Sequence, residues 1–351
     1  MKAMTRPAPA ELGFSMPAEW APHEATWISW PHNPETWPGV LEAAEAAMAQ
    51  AVTALAEGET VRINVLDAAH ERHVRNLLGQ VAATSAVVFH RFPTNDAWCR
   101  DHGAIFVRDA ASRLAALDCG FNAWGGKYPP WNLDDAIPAQ MAAALEVPLF
   151  DGGMILEGGS IDVNGAGAVL TTEQCLLNPN RNPTLSRVEI ESRLASLLGI
   201  NQVFWLGDGI VGDDTDGHID DITRFVAEDA VVTVVEPDRA DANHVPLAEN
   251  LARLHALRLA DGRRLRIVEL PMPAPVERDG ERLPASYGNF YIGNRVVLLP
   301  AFDQPTDAVA GRVLADCFPG RRVVPIRATE LVVGLGAFHC LTQQVPVGAR
   351  L

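Results

Sequence analysis

Residues 337–345 read AFHCLTQQV, and the architecture turns on them. Leu341 and Val345 alternate with Thr342 and Gln344 in the manner of a half-buried strand, fed by Gly334 and Gly336, which let a backbone pass close to a ligand. This strand has no hairpin partner of its own. The first strand-like run, HEATWISW from His23 to Trp30, has none either, so pairing the two would close the chain on itself.

Between these ends the chain repeats one pattern: a polar residue, a strand, a tight turn, a second strand, then a helix and a third strand. It appears as RDHGAIFVRDAASRLAALDCGF (100–121), EGGSIDVNGAGAVLTTEQCLL (157–177), GHIDDITRFVAEDAVVTVV (217–235) and YGNFYIGNRVVLLPAF (287–302). Ahead of the repeats, Leu41, Met48, Val52 and Leu55 recur at helical spacing up to a cap expected at Gly58, and Asp67 caps a second helix. Later, Ser186 and Glu189 make a capping box for a helix ending at Gly199. The polar leaders Asp101, Glu157, His218 and Asn289, with Cys340 last, are spaced by 56, 61, 71 and 51 residues, a period that argues for radial repetition. The expected fold is α/β, five ββαβ-type units about a central site toward which the leaders point. A doubly wound sheet in two domains is the alternative, and the frequent hairpins disfavour it. Residues 1–15, rich in proline, are expected to form a flexible arm before a single catalytic domain over 16–351.

Composition narrows the function. The 351 residues carry 28 Lys and Arg against 44 Asp and Glu, a net charge of −16, which excludes a phosphate backbone or anionic membrane as main partner and suits a small cationic substrate. Five scattered cysteines without a CxxC pattern suggest neither disulfides nor a zinc site, and fit the cytoplasm. No signal peptide or membrane span is recognisable.

Cys340 alone reads most simply as a buried thiol. Its company changes that. In DDTDGHIDD (213–221), His218 and Asp220 are two residues apart and would share a face of a strand. The calcium-loop spacing fails there, and no HxH or HExxH motif supports a metal. Trp98 offers an aromatic face to a cation, Asp101 a carboxylate at a strand start, and Glu157 a carboxylate backed by two glycines; Arg100 most simply pairs with a neighbouring acid, with a role in the site as the alternative. Carboxylates can hold a planar guanidinium while a thiolate attacks its central carbon and a histidine supplies protons to the departing nitrogen. A cysteine peptidase also uses Cys and His but needs no such cluster of carboxylates.

MPAEWAPHEATWISWPHN (16–33), NDAWCRDHGAIFV (95–107), FNAWGGKYPPWNLDD (121–135), LEGGSIDVNGAG (156–167), TDGHIDDITRFV (215–226), ASYGNFYIGNRVVLLPAF (285–302) and FHCLTQQVP (338–346) together resemble the agmatine deiminases, within the wider group that contains the bacterial peptidylarginine deiminase. The resemblance implies a five-bladed α/β propeller, or pentein, and hydrolysis of agmatine to N-carbamoylputrescine and ammonia without metal or cofactor. It implies Cys340 as nucleophile, His218 as acid and base, Asp101 and Asp220 on the guanidinium with Glu157 assisting, Trp98 over the substrate and Asn289 nearby. It also suggests a homodimer. Leu335, Ala337 and Phe338 depart from the glycine-rich loop usual before the cysteine. The stretch Phe121–Trp131 offers only Lys127 where the peptidyl branch holds a carboxylate with arginines, favouring a substrate without one. Asp214 or Asp216 is expected to meet the distal amine, from charge alone, and the glycines of Trp124–Tyr128 suggest a mobile loop.

Overall fold

A computed structural model describes residues 7–350. Its sheets follow one rule. Ile105–Arg108, Asp162–Val163, Thr223–Ala227 and Tyr291–Ile292 each pair antiparallel with the strand that follows, Leu114–Gly120, Ala168–Thr172, Ala230–Val235 and Val296–Ala301. Each second strand then pairs parallel with a third, Leu149–Ile155, Gln202–Leu206, Arg266–Pro271 and Arg322–Arg327, after a crossover containing a helix. The fifth sheet is made by the two ends: Thr342–Pro346 pairs antiparallel with His23–Ser29, Thr26 opposite Gln344 and Ile28 opposite Thr342, followed in parallel by Thr60–Asn64 and Val87–His90. A two-stranded hairpin, Glu277–Arg278 with Glu281–Arg282, stands apart from these five sheets.

The crossover helices form where local chemistry directs them. Ser186 accepts from the Glu189 amide and the Glu189 carboxylate answers the Ser186 amide at 2.8 Å, so Arg187–Leu198 starts with both donors satisfied. Ile190, Leu194, Leu197 and Leu198 bury its inner face. Asp67 likewise caps Ala68–Leu78 through the amides of Ala69 and His70. The helix Leu41–Leu55, however, is capped by Ala56 and not by Gly58, whose missing side chain instead leaves room for Arg295.

Two expectations need correction. Within the expected arm 1–15, residues 1–6 lie outside the described residues, but 7–15 are packed. Pro9–Leu12 forms a 3-10 turn, Phe14 is buried against Phe150, and Ser15 exchanges both backbone hydrogen bonds with Arg108. Burying Phe14 contributes about 2 kcal/mol, to which the backbone hydrogen bonds with Arg108 add in holding a segment whose composition reads as unstructured. The second concerns Cys340, which lies in the turn ahead of its strand, since Thr342–Pro346 is the extended part. That strand is buried on both faces, with Gln343 and Gln344 accepting from Arg100 Nη1 at 2.8 and 2.7 Å.

Candidate active site

Short turns carry the polar leaders. Asp101 sits in Cys99–His102, Glu157 immediately before Gly158–Ser160, His218 before Ile219–Asp221, Asn289 at the end of Tyr287–Asn289, and Cys340 after Leu331–Gly334. All but Asn289 and Cys340 lie directly ahead of a sheet's first antiparallel strand or its bridging turn, and Asn289 is two residues ahead of one.

Two of these residues, His218 and Asp101, meet Asp220 at Gly159. A Cβ there would come within 2.6 Å of His218 Nδ1, 2.8 Å of Asp101 Oδ1 and 3.1 Å of Asp220 Oδ2, so only glycine leaves this junction open. The Gly159 amide donates to Asp101 Oδ1 at 2.9 Å, and Trp124 Nε1 donates to Asp101 Oδ2 at 2.9 Å. His218 Nδ1 stands 3.8 Å from Asp101 Oδ1. Both ring nitrogens of His218 and the Oδ1 of Asp220 are buried without a hydrogen-bond partner, which in a folded protein points to a ligand.

Cys340 is fixed from several sides. Asn289 Nδ2 donates to its Sγ at 2.9 Å and to Asp221 Oδ1 at 2.9 Å, while Asn289 Oδ1 accepts from the His339 amide at 3.0 Å. Asp220 Oδ2 is 3.7 Å from the sulfur. Gly336 permits this packing, since a side chain there would strike Trp98 and Cys340; Gly334 gives room to Trp37 in the same way. The two glycines thus admit indole rings, where the sequence suggested a ligand.

Burial and charge set the protonation states. Burial, with the carboxylates of Asp220, Asp221 and Asp101, pushes the Cys340 thiol well above its ordinary value. Burial alone would lower His218, but Asp101, Cys175 and Asp220 raise it well above the ordinary imidazole range, which favours its protonated form. Burial lifts the Asp101 carboxyl to about 6, and the His218 charge offsets only part of this. In Asp220 burial is outweighed by His339, His218 and Arg224, which hold it below the usual carboxylate range.

Several supporting groups carry no sequence motif of their own. His339 bridges Asp220 Oδ2 at 2.6 Å and Glu19 Oε2 at 2.8 Å. Glu19 also accepts from Arg224 at 2.8 Å, Arg100 at 3.3 Å and the Ile292 amide at 2.9 Å, tying the N-terminal segment to two sheets, the turn Cys99–His102 and the cysteine loop. Arg100 is thus a structural ion pair, with Glu19, 81 residues earlier, and not with a neighbouring acid. These partners lie far apart along the chain, so no spacing reveals them.

Glu157 belongs beside His218 more than in the guanidinium pocket. Its Oε1 accepts from Arg181 Nε at 2.5 Å, and its carboxylate lies within 4.8 Å of the His218 ring. Asp216 does not line the cavity: its carboxylate accepts from Arg181 at 2.7 Å, Asn180 at 2.9 Å and Lys127 at 2.9 Å, which satisfies it. Asp214 does line it, accepting from the Tyr128 hydroxyl.

The cavity measures about 580 Å³ and reaches Asp101, Trp98 and Cys340. Glu35, Asp96, Asp134 and Asp214 add four carboxyl groups to its wall, against Lys127 as the single cation among the described lining residues. That cation is spent on Asp216 and the Asp214 carbonyl. Trp124 is buried and Tyr128 is tied to Asp214, so both ends of the glycine loop expected to be mobile are anchored. No helix among the described residues is long and apolar enough to cross a membrane.

Proteins similar to this chain match it over nearly its whole length. An agmatine deiminase of Ectopseudomonas mendocina (strain ymp) is 37% identical over 361 aligned residues, covering 96% of this chain and 97% of that protein. The structure of an Enterococcus faecalis agmatine deiminase superposes with a TM-score of 0.92 at 31% identity, covering 100% of both chains. A C. jejuni agmatine deiminase variant with substrate bound gives 0.87 at 31% identity, covering 96% of this chain and 97% of that one. The family model described as Porphyromonas-type peptidyl-arginine deiminase matches residues 15–346, and the chain belongs to that family.

Proposed function

We propose that this protein is an agmatine deiminase, hydrolysing the guanidinium of agmatine to N-carbamoylputrescine and ammonia. The observation that carries the reading is the junction at Gly159, where Asp101, Asp220 and His218 converge beside Cys340 with buried acceptors unpaired. A guanidinium supplies the donors that Asp220 Oδ1 lacks, and its charge is matched by two carboxylates. Trp98 lies over the entering group and Asn289 holds the cysteine loop. The whole of 16–351 would form one catalytic domain, its five sheets standing as five blades about the axis on which these residues meet.

Bringing a cation between Asp101 and Asp220 cancels the field that holds Cys340 protonated, so the thiol proton leaves to water as substrate binds. The thiolate attacks the central carbon, forming the C–S bond. His218 gives its proton to the amino group, and ammonia leaves with the electrons of the broken C–N bond. A water then adds to the thiouronium carbon, passing a proton back to His218, and the tetrahedral adduct expels the thiolate as its hydroxyl proton passes to the departing sulfur, which leaves the ureido product and restores the thiol. Glu157, clamped by Arg181, steadies the imidazolium throughout.

Agmatine carries a second charge at its far end, and the acidic wall suits a dication. Asp214 is the residue proposed to meet that amine. Free arginine or peptidyl-arginine would bring a carboxylate or carbonyl toward the same wall, where Lys127 is already engaged. The five free cysteines fit a cytoplasmic enzyme, and the family likeness suggests a homodimer. Ammonia release from agmatine, free arginine and an arginine-terminated peptide, with Cys340→Ala as control, tests the reading. Selectivity for agmatine is expected. Preference for either arginine substrate would overturn the specificity, and silence on all three would make this a guanidinium-binding protein.

A further inference from the structure

Cys175 carries no step of the reaction described above, although it helps to raise His218, and it lies close to two residues that do take part. It sits in the turn Glu173–Leu176, fully buried, its amide held by Thr172 Oγ1 at 3.2 Å. One donor atom each from Glu157, Cys175 and His218 lies within 4.8 Å of the others. Glu157 Oε2 and both ring nitrogens of His218 are buried and have no hydrogen-bond partner, although these two residues are 0% and 1% exposed.

We infer that Glu157, Cys175 and His218 form an inhibitory site for a borderline-soft divalent cation of the Zn²⁺ class. One carboxylate oxygen, one sulfur and one imidazole nitrogen are the donors such an ion selects, whereas Mg²⁺ and Ca²⁺ require a shell of oxygens. Bond lengths of about 2.0–2.3 Å to a tetrahedral ion bring its donors to roughly 3.3–3.8 Å from one another, so these side chains close by about 1 Å. Arg181 on the other Glu157 oxygen orients the carboxylate for this. The fourth position falls to water. Binding releases the protons of the Cys175 thiol and the His218 ring to solvent and forms the metal–sulfur and metal–nitrogen bonds without change of oxidation state.

The inhibition rests on the role proposed for His218, because an imidazole bound to the ion cannot carry a proton to ammonia; the binding itself does not. Metal-stripped protein is titrated with Zn²⁺ against a chromophoric chelator, and ammonia release from agmatine is followed in parallel. Wild type and Cys340→Ala should each bind one zinc per chain, and Mg²⁺ should not compete. Cys175→Ser should weaken zinc binding about tenfold or more and, measured against its own zinc-free turnover, need correspondingly more zinc for inhibition. Should Cys175→Ser fold poorly, Glu157→Gln in the Cys340→Ala background, read by binding alone, should show the same weakening. Zinc binding unchanged by Cys175→Ser, or lost in Cys340→Ala, overturns the site. Zinc binding that depends on Cys175 in a wild type inert toward every guanidino compound would keep the site and refute the proposed function.

Discussion

Replacing Gly159 with alanine places a methyl group at the junction of His218, Asp101 and Asp220, where the guanidinium is proposed to bind. The added carbon would lie 2.6 Å from His218 Nδ1 and 2.8 Å from Asp101 Oδ1, both inside normal contact, and 3.1 Å from Asp220 Oδ2. The backbone tolerates the change, since Gly159 is not among the residues with positive φ. Overpacking of this kind costs about 1–3 kcal/mol, so the fold should survive with a lowered melting temperature. The effect on chemistry is larger. Relieving the clash moves His218 or Asp101 by several tenths of an ångström, and misplacement on the order of 1 Å costs about 10²-fold. We expect kcat/KM for agmatine to fall by about 10²-fold or more while thermal denaturation remains cooperative. Gly320→Ala is the control, because nothing lies within 4 Å of a side chain there. A Gly159→Ala enzyme within about tenfold of wild type, a difference of about 1.4 kcal/mol in barrier, would refute the placement of the guanidinium.

The raised thiol pKa makes a second prediction: neutral iodoacetamide should alkylate Cys340 slowly at neutral pH and faster as pH rises, whereas a cationic haloacetamidine should react readily at neutral pH by ionising the thiol on binding. Equal rates relative to a free thiol would sink that account. Arg181→Met leaves Glu157 buried and unpaired, and should cost about 3–5 kcal/mol in urea unfolding, part of it recovered by adding Glu157→Gln. A loss below about 1 kcal/mol would show the pair to be relieved by water. Asp214→Asn should raise KM for agmatine about tenfold with kcat little changed, the loss of a charge-assisted hydrogen bond; an unchanged KM would place the distal amine elsewhere.

Local chemistry was readable from the chain, and distant partnership was not. The hairpins and the Ser186–Glu189 box depend on residues a few positions apart, so their spacing announces them. Pairing of His23–Ser29 with the strand after Cys340 was legible because each run lacked a neighbour. Glu19 shows the opposite case: it meets His339, Arg224 and Arg100 across most of the sequence, and an isolated acid beside a Trp gives no sign of it. Charge alone put Asp216 on the substrate, yet Arg181, 35 residues earlier, already holds it. Alternation at Leu341–Val345 suggested a strand with a wet face, because periodicity does not register polar side chains satisfied inside the protein.

The sheet shared by the two ends also has a consequence for how the protein is made. During synthesis on the ribosome, four hairpins can form as they emerge, from contacts local in sequence. The remaining sheet waits. His23–Ser29 has its parallel neighbour early, but its other edge stays unpaired until Thr342–Pro346 has been translated, and Cys340 and His339 arrive only with that strand. The nascent chain therefore carries an exposed strand edge for most of translation, and its carboxylates and His218, once made, wait for the proposed nucleophile until the last dozen residues. Ribosome stalling or premature termination upstream of residue 337 would yield an inert, aggregation-prone product, so activity itself reports that translation has passed the cysteine.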